Sequence, residues 1–159
     1  MTIQAGDKIP DITLTTMGEN GPEPITTASI FNDRKVVLFS VPGAFTPTCS
    51  ARHLPGFVES ADQLLAAGVD TIACVAVNDV FVMNAWGKSA GADKLLMLAD
   101  GNAEFALALG LEMDARGFGM GQRSQRFALV AENGVVTGLY VEGPGEFHVS
   151  SAEYILANL

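Results

Sequence analysis

Cysteine and histidine are scarce in this chain, two of each, and basic residues are outnumbered by acidic ones, 9 Lys and Arg against 18 Asp and Glu. Each shortage excludes something. The two cysteines lie 25 residues apart, outside any CxxC pair, with only His53 and His148 as companions. That makes neither a zinc-binding set nor a disulfide framework, and it points to reduced thiols. A formal net charge of −9 opposes nucleic acid and anionic membrane surfaces, both of which call for clustered Lys and Arg. The longest apolar runs, VVLFSV and IACVAV, fall far short of the ~20 residues that span a bilayer. The opening MTIQAGDKIP has no basic stretch followed by an apolar run, as a secretory signal would. The expectation is a soluble cytoplasmic protein with no nucleic-acid or membrane partner. At 159 residues and 48% hydrophobic, with no repeat, linker or low-complexity segment, residues 1–159 are expected to form one domain.

Strand-like and helix-like patterns alternate along the chain. Val36 to Val41 and Val69 to Val77 are continuous apolar runs rich in β-branched residues, as in parallel strands buried on both faces. Between them Leu54, Phe57, Val58, Ala61, Leu64 and Leu65 recur at helical spacing, with Gly68 as a stop. Pro55 is expected to kink this helix, since it removes an intrahelical donor. Asn78 or Asp79 can cap a second helix bearing Phe81, Val82, Ala85 and Trp86, and Lys94 to Leu98 reads as the next strand. Asp100 or Asn102 opens a shorter helix that ends at Gly110. Arg126 to Ala131 and Val135 to Val141 form a hairpin turning through Asn133 and Gly134. The last helix begins with a capping box, Ser150 and Glu153. Glu112 to Gln122, glycine-rich and irregular, is expected to be a loop, and its GFGMG run lacks the spacing of a nucleotide-binding turn. A βαβ unit followed by a β-hairpin and a helix matches an α/β, thioredoxin-like arrangement: a central mixed sheet flanked by helices.

The stretch VPGAFTPTCSARH places one cysteine where its chemistry changes. After the strand ends at Pro42, Thr46 is a good N-cap and Pro47 suits the first helical position, where its missing N–H costs nothing. Cys49 then falls at the third position. There the unpaired backbone N–H groups and the positive end of the helix dipole favour a thiolate, the nucleophilic form of sulfur.

PGAFTPTC closely resembles the peroxidatic signature of peroxiredoxins, in which a proline, three residues, a threonine, two residues and a cysteine follow in order. HLPGF, IACVAVND, the single Trp86 in NAWGK and the arginine of RSQRFALV extend the likeness over most of the chain. The type II or fifth-class (atypical) members are the most similar group. The resemblance implies that Cys49 attacks peroxide and passes to a sulfenic acid, and that Thr46 sets its hydroxyl beside sulfur and substrate. It also implies that Arg126 holds thiolate and peroxide oxygens, that Pro42 shields the sulfur from water, and that the protein is a homodimer. No metal or organic cofactor is needed, because an external thiol serves as co-substrate.

Other readings stand beside these. Taken alone, Cys49 is an ordinary buried cysteine, Arg126 a strand-end solvent residue and Thr46 a helix cap; their joint occurrence in the matched motifs favours function. His53, four residues after Cys49, suggests a Cys-His hydrolase dyad, although a structural hydrogen bond is the preferred role. The chain has Ser150 and Ser151 where some relatives carry a resolving cysteine near the C-terminus. Cys74 lies inside an apolar run that reads as a central strand, so reaching Cys49 would require local unfolding. The preferred cycle therefore uses one cysteine, regenerated by glutathione with glutaredoxin. A Cys49–Cys74 disulfide recycled by thioredoxin is the second reading, and a peroxide sensor passing oxidation to a partner protein is the third.

Overall fold

The computed structural model describes residues 1–159. An amino-terminal hairpin, β1 (Thr13–Gly18) and β2 (Gly21–Thr26), leads through the short helix α1 (Thr27–Phe31) into β3 (Lys35–Val41). A π-turn at Cys49–His53 runs into α2 (Leu54–Ala66), followed by β4 (Thr71–Ala76), α3 (Val80–Ser89), β5 (Leu96–Ala99) and α4 (Glu104–Leu109). Then come β6 (Glu112–Asp114), β7 (Gln122–Ser124), β8 (Phe127–Glu132), β9 (Val135–Val141) and α5 (Ala152–Ala157). Seven strands form one mixed sheet in the order β2-β1-β5-β4-β3-β8-β9, with β3, β4 and β5 parallel and the outer pairings antiparallel. The expected thioredoxin-like, helix-flanked sheet is present.

Both faces of the sheet are covered, which is why β3 and β4 read as unbroken apolar runs. Alternate residues of β3 feed two cores: Val37, Phe39 and Val41 pack with α2, α3 and α5, whereas Val36 and Leu38 pack with α1 and α4. On the first side the rings of Phe39 and Phe57 stack at 4.1 Å.

Several expectations need correction. The first hairpin and α1 carry no strong periodic signal and were not anticipated. The segment 112–122 is not a free loop: its ends pair as β6 and β7 around a 3₁₀ turn at Arg116–Phe118. Strands of three residues are too short to leave a pattern in sequence. The cap of α5 is Ser151, whose hydroxyl accepts from the Tyr154 N–H at 3.2 Å, and not Ser150. Ser150 is buried and bonded elsewhere. At the second helix, Asp79 is the cap, while Asn78 accepts from the Ala44 N–H at 2.9 Å and ties down the loop after β3. Asn133 and Gly134 do make the turn, with φ of 48° and 76°, the left-handed conformations a tight hairpin requires.

Topology brings the ends of three strands together. Because β3 and β8 are antiparallel neighbours, Ser40 pairs with Phe127, so the exit of β3 lies beside Arg126, the residue just ahead of β8. Phe127 also pairs with Val141, and the backbone N–H of Glu142 donates to the Arg126 carbonyl at 3.0 Å. Phe57→Ala removes a fully buried ring from the α2 side of this sheet. It is expected to lower stability by about 3–5 kcal/mol, measured by denaturant unfolding.

Candidate active site

The loop from Pro42 to Thr46 sets up the helix mouth. A side chain at Gly43 would meet Arg123 Nη1 and Met120 Cε, each at 3.2 Å, so any larger residue there would have to move these side chains by a few tenths of an ångström. Phe45 takes a φ of 63°, an uncommon conformation for an aromatic residue, and stands exposed. Thr46 begins the helix through its carbonyl, which accepts the Ser50 N–H at 2.9 Å. Its hydroxyl does not cap the helix as expected. The tight turn at 43–46 brings the Gly43 carbonyl within reach, and the hydroxyl donates to it at 2.7 Å. With its proton so placed, the Thr46 oxygen is left to accept a hydrogen bond.

Where a kink was expected at Pro55, the irregularity falls just ahead of it. The Leu54 N–H reaches back to the Cys49 carbonyl, closing a π-turn over Cys49–His53. Such turns concentrate at functional sites. Trp86 anchors this one, its indole N–H donating to Ser50 Oγ at 3.0 Å.

Cys49 and His53, the two ends of the turn, are fully buried and joined by one guanidinium. Arg126 Nη2 donates to Cys49 Sγ at 3.0 Å and Nη1 to His53 Nδ1 at 2.8 Å. The His53 Nε2–H in turn donates to the Ser150 carbonyl at 2.9 Å. This pattern requires a neutral imidazole protonated at Nε2. Burial, then the adjacent Arg126 charge, pull the His53 pKa from 6.5 down to about 3. One guanidinium N–H thus sets a permanent positive charge against the sulfur while the other is held by His53. That charge can also stabilise negative charge on an oxygen leaving the sulfur's reaction partner. His53, held neutral and bonded to arginine, is not placed to deprotonate Cys49, which removes the basis for a hydrolase dyad.

The structure thus brings Cys49 and Arg126 into contact, with Thr46 three residues before the sulfur. Pro42 and Arg126 line a cavity of about 360 Å³ together with Thr48, Glu112 and Glu146. Cys74 is buried in β4, paired with Phe39 and Met97, in the same core as Cys49. Burial first, and the nearby Cys49 sulfur second, push its thiol well above the ordinary range. Both cysteines are free.

The sequence reading did not single out the groups that complete this frame. Phe147 stacks its ring 4.7 Å from the Arg52 guanidinium and 5.0 Å from the His53 ring, and Glu142 and Arg123 brace the flanking loops. Phe147 and Glu142 lie in no periodic element or motif, whereas Arg123 opens the RSQRFALV stretch three residues ahead of Arg126. Only the isolated aromatic residue of GPGEFHV offered a signal.

The chain is similar to known proteins along almost its whole length. A family model described as Redoxin matches residues 4–156. Peroxiredoxin-2E-2, chloroplastic, of Oryza sativa subsp. japonica is 53% identical over 99% of this chain and 73% of its own length. Peroxiredoxin-2B of Arabidopsis thaliana is 49% identical over 99% of this chain and 98% of its own. Among solved structures, reduced Prx3 from Vibrio vulnificus in complex with hydrogen peroxide superposes with a TM-score of 0.96. It is 55% identical and covers 99% of each chain.

His53 makes a testable contribution to acid sensitivity. Its folded pKa lies below its unfolded value, so the unfolded chain binds the extra proton and stability drains away as pH falls from 6.5 towards about 3. His53→Gln, which keeps an acceptor for Arg126, is expected to flatten the fall in unfolding free energy across that window, followed by urea titration at several pH values. An unchanged slope would mean that His53 does not carry it.

Proposed function

The chain belongs to the Redoxin family, among the peroxiredoxins, and from that premise we propose that Cys49 is its peroxide-reactive thiol and works in a one-cysteine cycle. The observation carrying this reading is the Arg126 bridge, 3.0 Å from Nη2 to Cys49 Sγ and 2.8 Å from Nη1 to His53. The Cys49 thiolate attacks one peroxide oxygen, an S–O bond forms and the O–O bond breaks. Sulfur gives up two electrons, and the departing hydroxide or alkoxide takes up a proton. Arg126 stabilises charge on both sides of this exchange, Thr46 accepts from the peroxide O–H, and Pro42 limits water at the sulfur. A neighbour crystallised with hydrogen peroxide suits that substrate. The cavity beside Pro42 and Arg126 leaves room for the organic group of an alkyl hydroperoxide.

Regeneration is assigned to an external thiol, glutathione with glutaredoxin. The thiol sulfur attacks the sulfenic acid and releases water, and a second thiol cleaves the mixed disulfide. Electrons come only from thiols, so the cycle asks for no metal or organic cofactor. The burial of Cys74 in β4 favours this cycle over a Cys49–Cys74 disulfide reduced by thioredoxin. Exposed Phe45 and Phe118, near the Cys49 loop and in the 3₁₀ turn, suit a homodimer contact, and two free thiols suit the cytoplasm. No helix is long and apolar enough to cross a membrane.

Cys49→Ser is expected to abolish peroxide turnover in an NADPH-coupled assay, and retained turnover would contradict the assignment. Arg126→Ala is expected to slow single-turnover oxidation by about a hundredfold. Cys74→Ser is expected to keep glutaredoxin-supported turnover; its loss, with thioredoxin replacing glutaredoxin in the wild type, would favour the disulfide cycle.

A further inference from the structure

Glu142, at the exit of β9, is a buried acid that pairs with no base. Its carboxylate is spent on the loop that follows. Oε2 accepts from the His148 N–H at 2.6 Å, the Ser150 N–H at 2.9 Å and the Ser150 hydroxyl at 2.6 Å. Burial works against its charge, but the bonds from Ser150 and His148 outweigh it and hold the carboxyl below its usual range. Charge-assisted bonds of this kind are about twice as strong as neutral ones. The tip of the loop, Pro144, Gly145 and Glu146, is exposed, and beyond Glu142 the segment is held by its own turns, by Phe147 against Arg52 and His53, and by His148 against Tyr154. Yet it carries two groups the active site uses: the Ser150 carbonyl, which receives the His53 proton, and Phe147, which packs on His53 and lies 5.9 Å from the Arg126 guanidinium.

We propose that Glu142 is a positioning residue for peroxide reduction: it clamps the 143–151 loop, which fixes the His53 tautomer, which in turn holds Arg126 on the Cys49 sulfur. The steps follow in order. With its N–H and O–H directed at Glu142, Ser150 presents its carbonyl to His53 Nε2–H. That bond leaves Nδ1 bare, so it accepts from Arg126. A proton on Nδ1 would instead face an Arg126 N–H and push the guanidinium aside. Because Glu142 makes no ion pair with Arg126, the guanidinium charge stays available to sulfur and peroxide. Only the Glu142 backbone touches Arg126, through its N–H on the arginine carbonyl.

This inference rests on the reading of Cys49 as the reacting thiol. It is tested by the single-turnover rate of Cys49 oxidation by hydrogen peroxide in Glu142→Gln, Glu142→Ala and Ser150→Ala, each in the native and in the Arg126→Ala background. Glu142→Ala is expected to lose about tenfold or more. Glu142→Gln, which keeps the shape and an acceptor, should lose less. In the Arg126→Ala background the same changes should cost under about twofold, because the route through arginine is already cut. Equal losses in both backgrounds, or wild-type oxidation by folded Glu142→Ala, would overturn the proposal. Should Glu142→Ala fail to fold, Glu142→Gln and Ser150→Ala give the same comparison in milder form. A wild-type Cys49 that peroxide leaves untouched would instead overturn the underlying reading of the site.

Discussion

One guanidinium decides what the buried sulfur can be. Cys49 has no solvent contact, and a thiolate there would carry a heavy desolvation cost without a partner. Arg126 is the charged partner that meets Sγ, and it is itself held by a neutral histidine that spends no charge. Much of the surrounding structure serves this contact. The β3–β8 pairing brings Arg126 to the exit of β3, the π-turn presents Cys49 and His53 together, and Trp86 fixes the turn from α3.

The pairing also explains why the reactive group comes from a helix mouth while its charge partner comes from a strand. Arg126 stands immediately ahead of β8, and the pairing of β8 with β3 sets its backbone beside the exit of β3. In the connecting loop Gly43 packs closely against Arg123 and Met120. Two sulfurs in one core then have different fates. The one at the helix mouth has a cationic donor, and the one in β4 has apolar neighbours that keep it a thiol.

What the sequence made legible follows the length of each pattern. β3, β4 and α2 leave long periodic signals, and the Thr-Pro-Thr-Cys order by itself marks the site. Arg126 could be named only through the resemblance of the RSQRFALV stretch, because nothing local tells a strand-end arginine that faces solvent from one that faces a sulfur 77 residues away. The pairs β1–β2 and β6–β7 were missed because one is weakly patterned and the other has three-residue strands. Ser150 shows the limit most clearly. Two consecutive serines both fit a helix cap in sequence, and only packing decides that Ser151 caps while Ser150 turns inward to Glu142.

The most direct test of the account is peptide mass spectrometry after one equivalent of hydrogen peroxide, with a sulfenic-acid trap present, on wild type beside Cys74→Ser. The account predicts the trapped adduct on the Cys49 peptide in both proteins, with Cys74 unmodified. An adduct confined to Cys74, or a Cys49 peptide unmodified in both, would contradict it.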